Sequence, residues 1–71
     1  MPAQRIRFYR KAKGLSQQAL AVAMGVTATT VWLWENGRRS PTYKTLVRMS
    51  EVLEVPRDLF FAESLDGEEG N

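Results

Sequence analysis

The chain has 71 residues, contains no cysteine and no histidine, and carries ten basic and eight acidic side chains, which leaves a net charge of +2. Its length predicts one domain near the size at which a single hydrophobic core is only just sufficient. The missing residue types exclude disulfides, thiolate chemistry, Cys/His metal sites and the usual general base of enzymes. We therefore predict no catalytic, cofactor or metal site.

The two signs of charge are segregated along the chain. Residues 1–62 carry all ten basic side chains and four of the acids, a net charge of +6, whereas residues 63–71 carry four acids and no base. This pattern predicts a basic folded domain over 1–62, suited to a phosphate backbone, and an acidic, disordered tail over 63–71. No signal peptide or apolar run of membrane-spanning length is present, which predicts a cytoplasmic protein with no membrane partner.

Five helices and no strands are predicted, so the expected fold class is all-α. Ile6 and Tyr9 mark the inner side of the first helix, whereas Phe8 points elsewhere, and Gly14 ends the helix. The basic residues of this helix, from Arg5 to Lys13, are expected to form mostly a solvated face. The predicted helices cover about 2–13, 17–24, 28–36, 43–53 and 57–61, and the last of them is expected to add Leu59 and Phe60 to the core.

The stretch from Gly14 to Pro41 carries the strongest pattern. Its apolar positions cannot lie on one continuous helix, because Gly25 interrupts the run where a left-handed residue would end a helix. Ser16 and Thr27 are residue types that cap helix amino ends. The stretch therefore predicts two short helices around a tight turn. The apolar positions are Leu20, Met24, Val26, Val31 and Trp34.

Six short motifs follow one another along this stretch: Gly14-Leu15-Ser16-Gln17, Leu20-Ala21, Gly25-Val26-Thr27, Thr30-Val31, Trp34-Glu35-Asn36-Gly37 and Pro41. Their order and spacing resemble the helix-turn-helix domains of the Cro and phage-repressor family, which are Xre-like DNA-binding regulators. The resemblance covers roughly residues 5–61. It implies a compact, five-helix, lambda-repressor-like domain whose third helix lies in the major groove while the second crosses the DNA backbone.

The candidate reading surface is the side of the third helix that lies opposite the core positions Val31 and Trp34. Long polar side chains are nearly absent there, so we predict packing on thymine methyl groups, hydrogen bonding by a threonine hydroxyl and a contribution from DNA shape. Trp32 could stack on a sugar, insert at the groove edge or bind a protein partner, and the alternative is half-buried scaffold. By position in the family, the base-facing residues are Ala28, Thr29, Trp32 and Leu33.

Phosphate contacts are predicted at the amino ends of the second and fourth helices, where backbone N–H groups favour an anion. The resemblance adds contacts from the loop between the third and fourth helices, although Arg38 and Arg39 could also belong to an ordinary polar loop. The resemblance further implies a structural ion pair between Arg10 and Glu35. The predicted backbone-binding residues are Gln17, Thr27, Asn36, Arg38, Arg39, Thr42 and Lys44.

Together these features predict a sequence-specific, double-stranded DNA-binding transcriptional regulator that represses by occupying a promoter. A homodimer on a palindromic operator is expected, because one recognition helix reads only a few base pairs. Phe8, Val47 and Phe61 could form the dimer patch or close the core. The alternative function is an antitoxin that neutralises a toxin and regulates its own operon, with Phe60, Phe61, Trp32 and the tail as its partner surface.

Overall fold

The computed structural model describes residues 3–62, and within this range the chain forms five helices and no strand. The all-α prediction is confirmed, and the second helix has both of its predicted ends. The predicted tail over 63–71 lies outside the described residues, as does Pro2. The helices are α1 (Ala3–Ala12), α2 (Gln17–Met24), α3 (Ala28–Glu35), α4 (Tyr43–Leu53) and α5 (Arg57–Phe60).

Three hydroxyl side chains fix where α2, α3 and α4 begin. Ser16, Thr27 and Thr42 have extended backbone conformations, and each accepts a hydrogen bond from the backbone N–H three residues ahead, at 3.0, 3.1 and 3.2 Å respectively. Each cap satisfies a donor that the helix itself leaves without a partner and contributes about 1 kcal/mol. The predicted capping roles of Ser16 and Thr27 are confirmed, and Thr42 caps α4 in the same way.

The turn between α2 and α3 is built on Gly25, which has φ 73° and ψ 30°. Its N–H donates to the Val22 carbonyl at 3.2 Å, and the Val26 N–H donates to the Ala21 carbonyl at 2.9 Å. This pair of bonds is the Schellman arrangement that ends a helix on a left-handed residue. The predicted left-handed break at Gly25 is confirmed, and it turns the chain sharply from α2 into α3.

The core draws on all five helices. Trp34 and Phe60 are buried, as predicted. The prediction that Leu59 also joins the core is wrong, because its side chain is 40% exposed. A helical step turns the side-chain direction by about 100°, so adjacent residues of the one-turn α5 cannot both face inward. The buried apolar residues are Ile6, Leu20, Ala21, Met24, Val31, Trp34, Leu46, Met49, Leu53 and Phe60.

Aromatic contacts dock α5 onto the rest of the domain. Phe60 lies 5.9 Å from Tyr9 of α1, measured between ring centroids, and Phe61 stacks on Tyr43 of α4 at 5.4 Å with an interplanar angle of 30°. Phe60 therefore cannot belong to a partner surface, and that part of the antitoxin prediction is wrong. Phe8 is exposed, as predicted. No helix among residues 3–62 is both long and apolar enough to cross a membrane.

A substitution at the turn tests its backbone requirement. A Cβ added at Gly25 would have no neighbouring atom within 4 Å, so Gly25→Ala should cost only the left-handed strain, about 1–2 kcal/mol of unfolding free energy. Gly25→Asn is the matched control and should cost less, because asparagine tolerates this conformation better. Urea denaturation measures both variants, and equal stabilities for the Ala and Asn variants would contradict the assignment of the cost to backbone strain.

Candidate nucleic-acid interface

A buried ion pair joins α1 to the end of α3. Arg10 Nε donates to Glu35 Oε2 at 2.5 Å, and Arg10 Nη2 donates to Glu35 Oε1 at 3.0 Å. The Glu35 side chain has no solvent exposure and the Arg10 side chain has 9%. A third donor, Arg10 Nη1, bonds to the Leu15 carbonyl at 2.9 Å. The structure thus brings the predicted pair together and also ties it to the chain just before α2.

Two further side chains converge on the same carboxylate. Gln17 Nε2, at the start of α2, donates to Glu35 Oε1 at 3.0 Å, and Arg7 Nε lies 3.5 Å from that oxygen. Glu35 therefore receives contacts from α1 and α2 while it stands at the last position of α3. These contacts fix the position of α3 relative to both neighbouring helices.

The pKa of Glu35 reflects this balance of contacts. Burial raises the pKa of the carboxyl, but hydrogen bonds from Arg10 and Gln17 and the charge of Arg10 outweigh burial. A weaker hydrogen bond from Arg7 acts in the same direction, and the pKa lies below its ordinary value. Glu35 is consequently a carboxylate at neutral pH and serves as a structural anion.

The outer side of α3 presents the four predicted base-facing positions. Ala28 and Trp32 lie one above the other at a spacing of four residues, as do Thr29 and Leu33, so the four positions together cover a broad side of the helix. Thr29 is exposed and Trp32 is 44% exposed, whereas Leu33 is half-buried and Ala28 is half-buried against the core. Trp32 and Thr29 therefore offer most of the accessible surface of this side of α3.

The amide side chains among the predicted backbone-binding residues are partly engaged within the protein. Asn36 Nδ2 donates at 2.9 Å to the Trp32 carbonyl, which also accepts the Asn36 backbone N–H, and Gln17 is bonded to Glu35. Each amide nitrogen carries two N–H donors, and each of these bonds uses one of them. Both residues are held in place by the bond that they already make.

The threonine hydroxyls at the helix starts serve the protein itself. Thr42 Oγ1 donates to Thr45 Oγ1 at 2.9 Å and accepts the capping bond, and the Thr27 and Thr30 hydroxyls lie 3.0 Å apart. The donors left at the start of α4 are the first backbone N–H groups and the exposed Lys44 side chain. This end of α4 can therefore hold an anion chiefly through its backbone.

The loop from Gly37 to Pro41 carries the two remaining predicted cations. Gly37 has φ 70°, and the N–H groups of Arg38 and Arg39 both reach the Leu33 carbonyl, at 2.9 and 3.3 Å. Both arginine side chains are exposed. The loop thus folds back on the end of α3 and keeps two positive charges at the surface beside it.

Some of the buried polar residues were not foreseen. Arg7, Lys11 and Lys13 are exposed, as expected for most of the basic residues near α1, but Arg5 is buried, which was not predicted. Arg7 was not predicted to contact Glu35, although its spacing of three residues from Arg10 places both on one helix face. Within residues 3–62, no group of three or more His, Cys, Asp or Glu side chains could hold a metal ion.

The fold and the site together define a compact helix-turn-helix domain, and comparison with known proteins agrees. Residues 6–60 match the model of the Helix-turn-helix family. An uncharacterized HTH-type transcriptional regulator of Bacillus subtilis (strain 168), YqaE, is 38% identical over 58 residues, which are 82% of this chain and 50% of YqaE. The chain therefore spans about half the length of that relative.

Two solved structures share the fold, and the match extends over a larger share of their own chains than of YqaE. The P22 c2 repressor in complex with synthetic operator 9T gives a TM-score of 0.72 at 29% identity, over 82% of this chain and 88% of that one. SinR in complex with SinI gives a TM-score of 0.81 at 31% identity, over 99% and 69% of the respective chains. The chain belongs to the helix-turn-helix family of transcriptional regulators, and the predicted resemblance to Cro and phage repressors is confirmed.

Removal of one partner from the buried pair should be far more damaging than removal of both. Glu35→Ala leaves the Arg10 guanidinium buried without its anion and should lower the free energy of unfolding by about 3–5 kcal/mol. The double variant Arg10→Met/Glu35→Leu removes both charges and should recover most of that loss. Guanidinium chloride unfolding at pH 7 measures all three proteins. A double variant as unstable as Glu35→Ala would contradict the assignment of the cost to an unpaired buried charge.

The depressed pKa of Glu35 predicts an acid-sensitive component of stability. A carboxyl with a lowered folded-state pKa stabilises the fold above its ordinary pKa of about 4.3, and this contribution is lost as the pH falls through the folded-state pKa. Urea unfolding between pH 7 and pH 3 should show this decline. Glu35→Gln should be less stable at pH 7 and decline less, whereas the exposed control Glu51→Gln should follow the original chain. Parallel curves for the original chain and Glu35→Gln would refute the link.

Proposed function

We propose that this chain is a sequence-specific, double-stranded DNA-binding regulator that acts in the cytoplasm and represses by occupying a promoter. The proposal rests on how α3 is fixed in the domain, with one side buried and the opposite side accessible. Val31, Trp34 and Glu35 are buried on its inner side, while the opposite face carries the accessible Thr29 and Trp32. A short helix whose inner side is fixed by buried contacts can enter a major groove as a rigid unit. The operator-bound P22 c2 repressor, whose fold is similar, supports this reading.

Base readout by α3 would rest on methyl groups and one hydroxyl. Ala28, Leu33 and the Thr29 methyl group suit contact with thymine C5-methyl groups, and the Thr29 hydroxyl can bond to several bases. The few hydrogen-bond donors on this face leave a larger share of specificity to the shape of the DNA. The operator would accordingly have thymines at the positions facing α3.

Phosphate contacts would surround this face. Gln17 and Asn36 are fixed by internal hydrogen bonds and each keeps a free N–H, while Arg38, Arg39 and Lys44 supply exposed charge. With a net charge of +6 over residues 1–62, attraction to the DNA backbone would guide the encounter and supply the part of affinity that does not depend on sequence. Thr27 and Thr42 would contribute through the helix starts that they cap.

A homodimer on a palindromic operator is part of the proposal. One α3 can read only a few base pairs, and two copies would place their α3 helices about 34 Å apart along the duplex. Exposed Phe8 and half-buried Val47 and Phe61 are candidates for the contact between copies.

A second candidate function is protein binding of the antitoxin type. Trp32 is an accessible indole on the outer face of α3, and aromatic side chains of this kind are enriched in protein interfaces. SinR, which has a similar fold, is known in complex with SinI. The two candidates differ in what purifies with the protein: an antitoxin would retain a bound toxin, whereas a simple repressor would not.

Selection of bound duplexes from a random library at near-physiological salt tests the proposal. We expect enrichment of an inverted repeat whose half-sites are about one helical turn apart, with thymines opposite Ala28 and Leu33. Invariant G·C pairs at those positions would overturn the thymine readout. Salt-sensitive binding with no enriched sequence would favour the protein-binding candidate, and capture of a toxin on the protein, lost in Trp32→Ala, would then support it.

The phosphate contacts can be tested on the selected duplex. Arg38→Gln should weaken binding to all sequences alike and reduce the slope of log affinity against log salt by about one. Lys11→Gln removes an exposed charge from α1 and is the matched control, for which the slope should not change. Equal effects of the two substitutions would show that Arg38 acts only through net charge.

A further inference from the structure

A groove with a volume of about 550 Å³ lies on the outer face of α4, beside the start of α5. It faces away from the core side of α4, which carries Leu46, Met49 and Leu53. Three of its side chains are cationic and one is acidic. The groove is lined chiefly by Tyr43, Lys44, Val47, Arg48, Glu51 and Arg57.

The cations of this groove take no part in the ion pairs of the described domain. Within residues 3–62, the ion pairs involve Arg7, Arg10 and Lys13. Lys44, Arg48 and Arg57 are exposed and surround an apolar strip formed by Val47 and the Tyr43 ring. Such a surface suits an acidic segment that can also place a small apolar side chain between the charges.

We propose that residues 63–71 of the same chain occupy this groove, with carboxylates against its cations. The segment reads ESLDGEEGN and contributes four acids, no base and one leucine. Its charge complements the three cations, and Leu65 matches the apolar strip. Apart from Lys44, the groove residues are not among the proposed DNA contacts, although Val47 is also a candidate for the contact between copies.

The described domain ends beside the groove, so the acidic segment has only a short distance to span. Phe61 stacks on Tyr43, which is itself part of the groove wall, so the chain reaches Ala62 beside the groove. Nine residues can extend about 30 Å, whereas the α4 wall from Tyr43 to Glu51 rises only about 12 Å. A tethered segment of this length has an effective concentration in the millimolar range, so individually weak charge contacts suffice to populate the bound state.

Lys44 connects the groove to DNA binding, and this step rests on the proposed function. The acidic segment and a DNA phosphate would compete for Lys44, so DNA would have to displace the segment. Binding to random DNA depends almost wholly on phosphate contacts and would be weakened most, whereas an operator also offers base contacts. The segment would therefore suppress non-specific binding more than it suppresses specific binding.

The docking itself is tested without DNA, by NMR of the full chain. Amide shifts of Lys44, Arg48 and Arg57 are compared between the original chain and Glu63→Gln/Asp66→Asn/Glu68→Gln/Glu69→Gln. We expect these three signals to shift at any protein concentration, while those of the turn at Gly25 stay unchanged. The proposal would be overturned if the amide shifts of the groove residues did not change with the substitutions. It would also be overturned if these shifts depended on protein concentration instead, because a second copy would then occupy the groove.

The competition is tested by a substitution whose effect on DNA affinity should be opposite to the effect that net charge alone predicts. Arg48→Gln removes a positive charge from the groove, and net charge alone predicts weaker binding to a random duplex. If Arg48 holds the acidic segment, the substitution frees Lys44 and should tighten binding at low salt by about threefold or more. In the chain with the neutral segment the same substitution should give no gain, and Lys11→Gln should give none in either background.

The outcomes separate the two proposals. Weaker binding of Arg48→Gln, matching Lys11→Gln, would overturn the competition. If no variant binds any duplex, the proposed function fails, while the amide shifts still decide whether the segment occupies the groove. Fluorescence anisotropy with a labelled random-sequence duplex measures the affinities.

Discussion

The buried pair of Arg10 and Glu35 is the interaction on which the arrangement of the domain depends. Two charges are expensive to remove from water, and they are tolerated here because the guanidinium also binds the Leu15 carbonyl and the carboxylate also accepts from Gln17. These bonds reach α1, the start of α2 and the end of α3 at once. Apolar packing could hold α3 at many rotations, but directional hydrogen bonds select one, and that rotation decides which side chains face outward.

Local chemistry made much of this fold predictable, whereas the contact of Arg10 with Glu35 between helices could be predicted only from the family resemblance. Caps at Ser16, Thr27 and Thr42 and the left-handed Gly25 depend on a few neighbouring residues, so their positions follow from residue type. The burial of Arg5 depends on what packs over α1, which no local pattern encodes. Helix α5 has only four residues, too few for a periodic pattern to show that Phe60 and not Leu59 faces the core.

The sequence likewise predicted only part of the candidate interface. The helix-turn-helix pattern identified the outward face of α3 because its inner side carries Val31 and Trp34 in a recognisable phase. It did not reveal that Gln17 and Asn36 already donate within the protein, or that the Thr42 hydroxyl is committed to Thr45. These internal bonds restrict each side chain to one direction. A polar group fixed in advance loses little conformational entropy when it meets a phosphate, so the same bonds that stabilise the fold would also favour the phosphate contacts proposed for these side chains.

The excess of positive charge on the domain would limit how well such a protein distinguishes one DNA sequence from another. A surface rich in phosphate-binding groups and poor in base-reading hydrogen bonds gains affinity for all DNA sequences faster than it gains selectivity. The methyl contacts proposed for Ala28, Thr29 and Leu33 would add only modest discrimination between bases, so selectivity would improve when the general attraction is reduced. Four acids joined to a domain of charge +6 reduce that attraction without altering α3.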